Sequence, residues 1–198
     1  MSFLSTPVIG SFLVAAALLA PMPAAYQVSL ATWEPAVGDR LVVDTKENEG
    51  YLMHLDGRYV RFPVITGQRR HVYYIGRSYN ATTPAWDWVV QSEDIKGDRI
   101  TFGPTGRFLR LYKDGEEHTA YGIHEHASEE VMFARESRFQ SMGCIIVRSA
   151  MMDILEATYR LNGENGMPVF TRYGVEEPIK VAFPSTGGAL TAGGEETL

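Results

Sequence analysis

The chain carries one cysteine, Cys144, within SMGCIIVR (residues 141–148), and five histidines, at positions 54, 71, 118, 124 and 126. A lone thiol serves either as a small buried hydrophobe or as a nucleophile. Gly143 before it permits positive φ and close backbone approach, and the apolar residues 145–147 belong in a core. A cysteine at such a bend can project its sulfur into a cleft, with the N–H groups of Gly143 and Cys144 facing a developing oxyanion. An unperturbed thiol, with a pKa of about 8.5, is barely ionised near neutrality and needs a base or a cationic neighbour.

Among the candidate bases, His54 falls between two apolar runs, His71 in a polar connection and His118 beside two glutamates. His124 and His126 bracket Glu125 at the end of the strand-like HTAYGI. His124 is favoured, because it follows an apolar strand end, where side chains line clefts. A buried imidazole bonded to backbone is the competing reading and the commoner one for a histidine taken alone. His118, His124, His126 and Cys144 offer nitrogen and sulfur donors, but no cysteine pair or HExxH spacing accompanies them. No metal and no cofactor is expected.

These residues need a scaffold, and the patterning predicts mainly β structure. Residues 40–45, 51–55 and 58–65 read as a three-stranded meander, with Asp56-Gly57 as a hairpin turn and Pro63 near a strand end. Residues 68–84 read as a polar connection, 86–91 as a strand, and 107–112 and 118–123 as a hairpin about Asp114-Gly115. Trp86 and Trp88 fall on one strand face, where packing is favoured over sugar stacking. A short helix is expected within 127–138. The clearest helix is 149–162, with Ser149 as N-cap, an apolar face of Met151, Ile154, Leu155 and Thr158, and a stop at Asn162-Gly163. Residues 167–173 read as a last strand. The expected fold is mainly β with α, a mostly antiparallel β domain with one well-defined helix directly after the cysteine.

Composition sets the outer bounds. With 198 residues, 45% hydrophobic and 21% charged, the chain has material for one packed domain. A formal net charge of −6 and no dominant basic patch argue against a nucleic-acid partner. Residues 1–25 hold no charged side chain, and residues 8–20 (VIGSFLVAAALLA) form an apolar run followed by Pro21, Pro23, Ala24 and Ala25. The run is short for a bilayer span, which takes about 20 residues. It reads as an export signal, although no Lys or Arg precedes it. An N-terminal membrane anchor through residues 8–20 and a buried core helix are the alternatives. Residues 26–38 read as a linker, 39–175 as the domain, and 184–198 as a disordered tail rich in Gly and Thr. In an exported chain, one unpaired cysteine is a liability unless it has a task.

The stretch GIHEHASEEVMFARESRFQSMGC (residues 122–144) resembles the active-site signature of the L,D-transpeptidases of the YkuD type. That signature is a histidine after a strand, an interval of 14–17 residues, then Ser/Thr-His-Gly-Cys. Here 16 residues separate His124 from Ser141, and Ser141, Met142, Gly143 and Cys144 follow. The likeness extends through RLVVDTKENEGYLMHLDGRYVRFPVITG, similar to the family's opening hairpins, and Thr83-Pro84, similar to the start of its Thr-Pro segment. It covers roughly residues 39–173.

The resemblance implies a β-sandwich or barrel-like catalytic fold and an exported enzyme of the periplasm or cell wall acting on peptidoglycan stem peptides. Cys144 would be the nucleophile and His124 its base. The Glu125 carbonyl would orient the imidazole, and Gly143 and Cys144 would supply oxyanion-hole N–H groups. Ser141, Tyr121 and Arg148 would contact substrate. The thioester would pass to an amine, giving a crosslink, or to water, as in an L,D-carboxypeptidase. An inert wall-binding relative is a third reading, and a redox thiol, lacking a second cysteine, the weakest. Departures accompany the likeness. Met142 replaces the second histidine, Ile146 stands where many members carry Arg or Asn, and about twenty residues intervene between Thr83-Pro84 and the later Gly103-Pro104-Thr105-Gly106.

Overall fold

The computed structural model describes residues 24–74 and 76–184. The apolar run of residues 8–20, read as export signal or anchor, and the tail from 185 lie outside the described residues. In chain order the strands are β1 (Tyr26–Gln27), β2 (Arg40–Asp44), β3 (Glu49–Met53), β4 (Arg58–Pro63), β5 (Thr66–Gly67), β6 (His71–Tyr74), β7 (Arg77–Asn80), β8 (Asp87–Ile95), β9 (Arg107–Lys113), β10 (Glu117–His124), β11 (Phe139–Ser141), β12 (Ile145–Ile146) and β13 (Met167–Arg172). The helices are α1 (Glu129–Ala134), α2 (Ser149–Asn162) and α3 (Pro178–Ala182).

Nine strands form one sheet in the order β1-β4-β3-β2-β13-β8-β9-β10-β12. The chain leaving β4 at one side meets β12 at the other: Ile65 and Ile146 exchange both backbone hydrogen bonds, each 2.9 Å long. The sheet therefore curls almost shut, which satisfies backbone groups that an open edge would expose. The meander β2-β3-β4 and the hairpin β9-β10 are antiparallel, as alternation and Asp-Gly turns predict. The pairings β2/β13, β10/β12, β5/β11 and β1/β4 are parallel.

One core fills the curl. Leu41, Val43, Leu52, Trp88, Val90, Leu109, Leu111, Ile123, Ile145 and Val169 face inward from the strands, and Met151, Met152 and Leu155 enter from α2. Trp88 sits fully inside, where its indole N–H donates to Thr171 Oγ1 at 2.8 Å. Helix α2 has the expected bounds, and its apolar spacing is the reason: Met151, Leu155 and Thr158 are buried on one face.

Four expectations change. Residues 68–84 are not simply a polar connection, because β6 and β7 pair there as a hairpin. Residues 26–38 are packed rather than a free linker. β1 pairs with β4, and Trp33 stacks on the buried His54 with ring centroids 3.8 Å apart. The domain continues past residue 175, since Ala182 and Phe183 pack with Val42 and Met53 in a second apolar cluster. Ser149 does not cap α2; Arg148 holds the N-cap position, and the Ser149 hydroxyl is drawn instead to the Glu129 carboxylate at 3.0 Å. Among the described residues no helix is long and apolar enough to cross a membrane.

Candidate active site

The cysteine turn is fixed from three sides. Ser141 Oγ donates to the Cys144 carbonyl at 2.6 Å and accepts from the Gly143 N–H at 3.1 Å. Thr83 Oγ1, buried, donates to the Gly143 carbonyl at 2.8 Å and accepts from the Gly67 N–H at 2.9 Å. Gln68 N–H donates to the Ser141 carbonyl at 3.1 Å, and its side-chain amide reaches the Met142 sulfur at 3.3 Å. Gly143 has φ +120°, and a Cβ there would lie 2.7 Å from the Tyr121 ring. Gly143→Ala is therefore expected to cost about 2 kcal/mol from backbone strain and crowding. A fall in denaturation midpoint at unchanged m-value checks this.

The register of β10 and β12 sets the relation between thiol and imidazole. Ile123 pairs with Ile145 and His124 with Ile146, in parallel. Ile123 and Ile145 both point into the core. Strand alternation then sends His124 and Ile146 to the opposite face, and Cys144, one residue before β12, stands beside Gly122 on that same face. Cys144 and His124 thus project from neighbouring strands to one side of the sheet. They do not touch. The sulfur lies 3.9 Å from the Ala120 carbonyl and also faces the Gly122 N–H. The Phe108 ring covers Gly122, where any Cβ would run into it.

His124 is 3% exposed. Its Nδ1 lies 2.6 Å from the Glu125 carbonyl, and the Thr101 carbonyl also faces the ring. Phe102 and Phe108 pack against it, with centroids at 5.0 and 5.8 Å. Residues 96–106, between β8 and β9, thus form a cover over the imidazole. Burial pushes His124 down to about 4 and the half-buried Cys144 up to about 11. Both groups are neutral at pH 7, so the resting pair is thiol and imidazole rather than thiolate and imidazolium.

This carries a stability prediction. The folded pKa of His124 lies below its unfolded value of 6.5, so its neutral form favours folding above that value. The contribution is lost as pH falls from about 6.5 through 4, and amounts to about 3 kcal/mol. Urea titrations at pH 7.5 and 4 should show this loss, and His124→Gln should remove that part of it.

The Glu125 side chain is fully buried and pairs with Arg107, whose guanidinium also holds Asp153 at 2.6 Å and Glu156 at 2.6 Å. Burial works against the Arg107 charge, yet the bonds to Glu156, Asp153 and Glu125 raise it above its usual range. Thr105 Oγ1 at 3.2 Å and Ser149 Oγ at 3.3 Å also reach Glu125. One buried carboxylate therefore ties the cover, α2 and the residue after His124 together. Tyr121 leans on the cysteine turn and packs between Trp86 and Trp88, with centroids at 6.2 and 5.5 Å. Arg148 turns to α1, bonding Glu130 at 2.8 Å and lying over Phe133. Ile146 is 3% exposed and committed to its bridge with Ile65, so its position offers no cation to a ligand.

Sequence reasoning left Gly67 and Phe108 unassigned and gave Thr83 no site role. The Thr83-Pro84 likeness was a usable signal for Thr83. The other two are set by long-range register.

A nearly closed β-domain that presents a thiol on a glycine turn and an imidazole on the adjoining strand defines a cysteine–histidine class of site. The family model for the L,D-transpeptidase catalytic domain matches residues 38–169, and the chain belongs to that family. Among solved structures, an L,D-transpeptidase from Xylanimonas cellulosilytica DSM 15894 is 22% identical with a TM-score of 0.47, covering 71% of this chain and 63% of its own. The Enterococcus faecium L,D-transpeptidase C442S mutant is 16% identical at 0.45, covering 68% and 49%. The helical cell shape determining protein Pgp2 of Campylobacter jejuni (K307A mutant) is 15% identical at 0.47, covering 81% and 54%. The chain spans less than two thirds of each of these structures. No curated protein matches the sequence.

Proposed function

We propose that this protein is an exported peptidoglycan L,D-transpeptidase that works through a thioester on Cys144. The carrying observation is the β10/β12 register, which sends the thiol and the imidazole to one face of the sheet beside a glycine turn. On substrate binding, His124 takes the thiol proton as sulfur attacks the stem-peptide carbonyl between an L-centre and the next D-residue. The C–N bond breaks, and the proton passes from the imidazolium to the departing amine. A neighbouring stem's amine then attacks the thioester, forming a new amide and returning the thiol. The Glu125 carbonyl at Nδ1 holds the ring so that its other nitrogen can act as base. The Cys144 N–H would serve the oxyanion; the Gly143 N–H joins it only if it releases Ser141 Oγ. Ser141 acts by shaping the turn, Tyr121 flanks the acyl group, and the paired Arg148 lies on the periphery.

The resting geometry also favours a second reading, an inert wall-binding relative. His124 is covered, and the sulfur bonds a carbonyl rather than the ring. Catalysis on the first reading therefore requires Phe108, the Thr101 carbonyl that faces the ring and the cysteine side chain to move when substrate enters. Catalytic hydrogen bonds are often long before the substrate complex forms. Mass analysis of purified muropeptides after incubation separates the readings. Crosslinked dimers support transpeptidation, shortened monomers support carboxypeptidase action, and unchanged muropeptides bound by folded protein support the inert relative.

A further inference from the structure

Beside Gly122, the residue of β10 next to Cys144, lies a charge cluster that the preceding account leaves without a task. Arg110 is the β9 partner of Gly122, the residue that stands between β9 and Cys144 in the sheet. Having no side chain, Gly122 puts no barrier of its own between guanidinium and thiol. Lys96, just after β8, reaches the same place: its Nζ lies 4.8 Å from the centroid of the Phe108 ring, and the Arg110 guanidinium carbon lies 5.0 Å from it. That ring is the one seated over Gly122. Asp94 holds both cations through Oδ2, bonding Lys96 Nζ at 2.8 Å, Arg110 Nε at 3.1 Å and Arg110 Nη2. Arg110 Nη1 is fixed by the Thr119 carbonyl at 2.7 Å. Two cations and one carboxylate leave a net positive charge, which a low-dielectric wall of Phe108 keeps from being fully screened.

We propose that Arg110 and Lys96, held in place by Asp94, are positioning residues that favour negative charge on Cys144 and on the acyl-transfer intermediate it forms. The inference rests on Cys144 being the nucleophile, but the pair's effect on the thiol can be read without turnover. Also facing the sulfur are the phenols of Tyr121 and Tyr79, both pushed up chiefly by burial and further by the thiolate once it forms. Burial raises the thiol, the Gly122 N–H is the largest influence against it, and Arg110 and Lys96 are the cations that lower it further.

The test is the pH dependence of Cys144 alkylation by iodoacetamide in the folded full chain, followed by intact mass. Lys96→Gln and Arg110→Gln should move the rise in rate to higher pH and slow alkylation at pH 8 by about three- to tenfold. Asp94→Asn, which leaves both cations unneutralised, should move it the other way and speed alkylation by a similar factor. Lys96→Gln combined with Asp94→Asn should return close to wild type. The opposed signs separate an electrostatic role from loosened packing, which would speed alkylation in every variant. Lys96, the more exposed cation, keeps the test usable should Arg110→Gln fail to fold. Shifts of the same sign in Lys96→Gln and Asp94→Asn, or no shift in either, overturn the proposal. Opposed shifts in a protein that leaves muropeptides unchanged would uphold the charge effect while removing the transpeptidase reading.

Discussion

Cys144→Ala is expected to leave a folded protein with no detectable acyl transfer, a loss of about 10⁴-fold or more. The turn that carries the residue should survive, because its anchors are elsewhere. Ser141 Oγ and Thr83 Oγ1 bind backbone groups of the turn, whereas the sulfur has only weak contacts with β10, the Ala120 carbonyl at 3.9 Å and the Gly122 N–H. Loss of the thiol therefore removes chemistry without removing the scaffold. Covalent labelling by a carbapenem should likewise vanish. Equal labelling of Cys144→Ala and wild type would place the reactive group on another residue.

His124→Ala is expected to lower kcat/KM by about 10³- to 10⁴-fold near pH 7 and to change the shape of the pH profile. With the thiol raised to about 11, the thiolate fraction at pH 7 is about one part in 10⁴. A neutral imidazole removes this handicap by taking the proton during attack. Wild type should then rise through an acid limb near 4, where His124 loses its proton, and stay level across neutrality. Without the base, the rate should climb about tenfold per pH unit toward 11, as free thiolate accumulates. Activity measured from pH 4 to 10 in both proteins checks this. A flat variant profile at wild-type rate would show that the imidazole is not the base.

The elements legible in the sequence are those whose signals are local. Helix α2 is written in its 3.6-residue apolar spacing, and the β3-β4 and β9-β10 turns in Asp-Gly pairs. The β6-β7 hairpin was hidden because its strands alternate weakly and its faces are largely exposed, so no core pattern marks it. The Ser149 hydroxyl obeyed a distant carboxylate, Glu129, rather than its own helix end.

At the site, Cys144, Gly143 and His124 could be singled out by type and spacing. Thr83 had only the likeness of Thr83-Pro84 to mark it, and Gly67, Phe108, Arg110 and Lys96 had no mark, since each reaches the cysteine turn through register across the sheet or through a contact distant in sequence. The cover over His124 was visible only as an apparent insertion. That it buries the imidazole beneath Phe102, and so holds the base neutral, follows from folding the 96–106 segment back on β10.

The most direct measurement of the central claim is the intact mass of the protein, acid-quenched soon after mixing with a disaccharide-tetrapeptide donor. The expected product is a covalent adduct whose added mass is the donor less one free D-amino acid, located on the peptide that contains Cys144 and lost on thioester cleavage by hydroxylamine. Folded wild-type protein that binds the donor, stays at its unmodified mass at every quench time and releases no D-amino acid would contradict it.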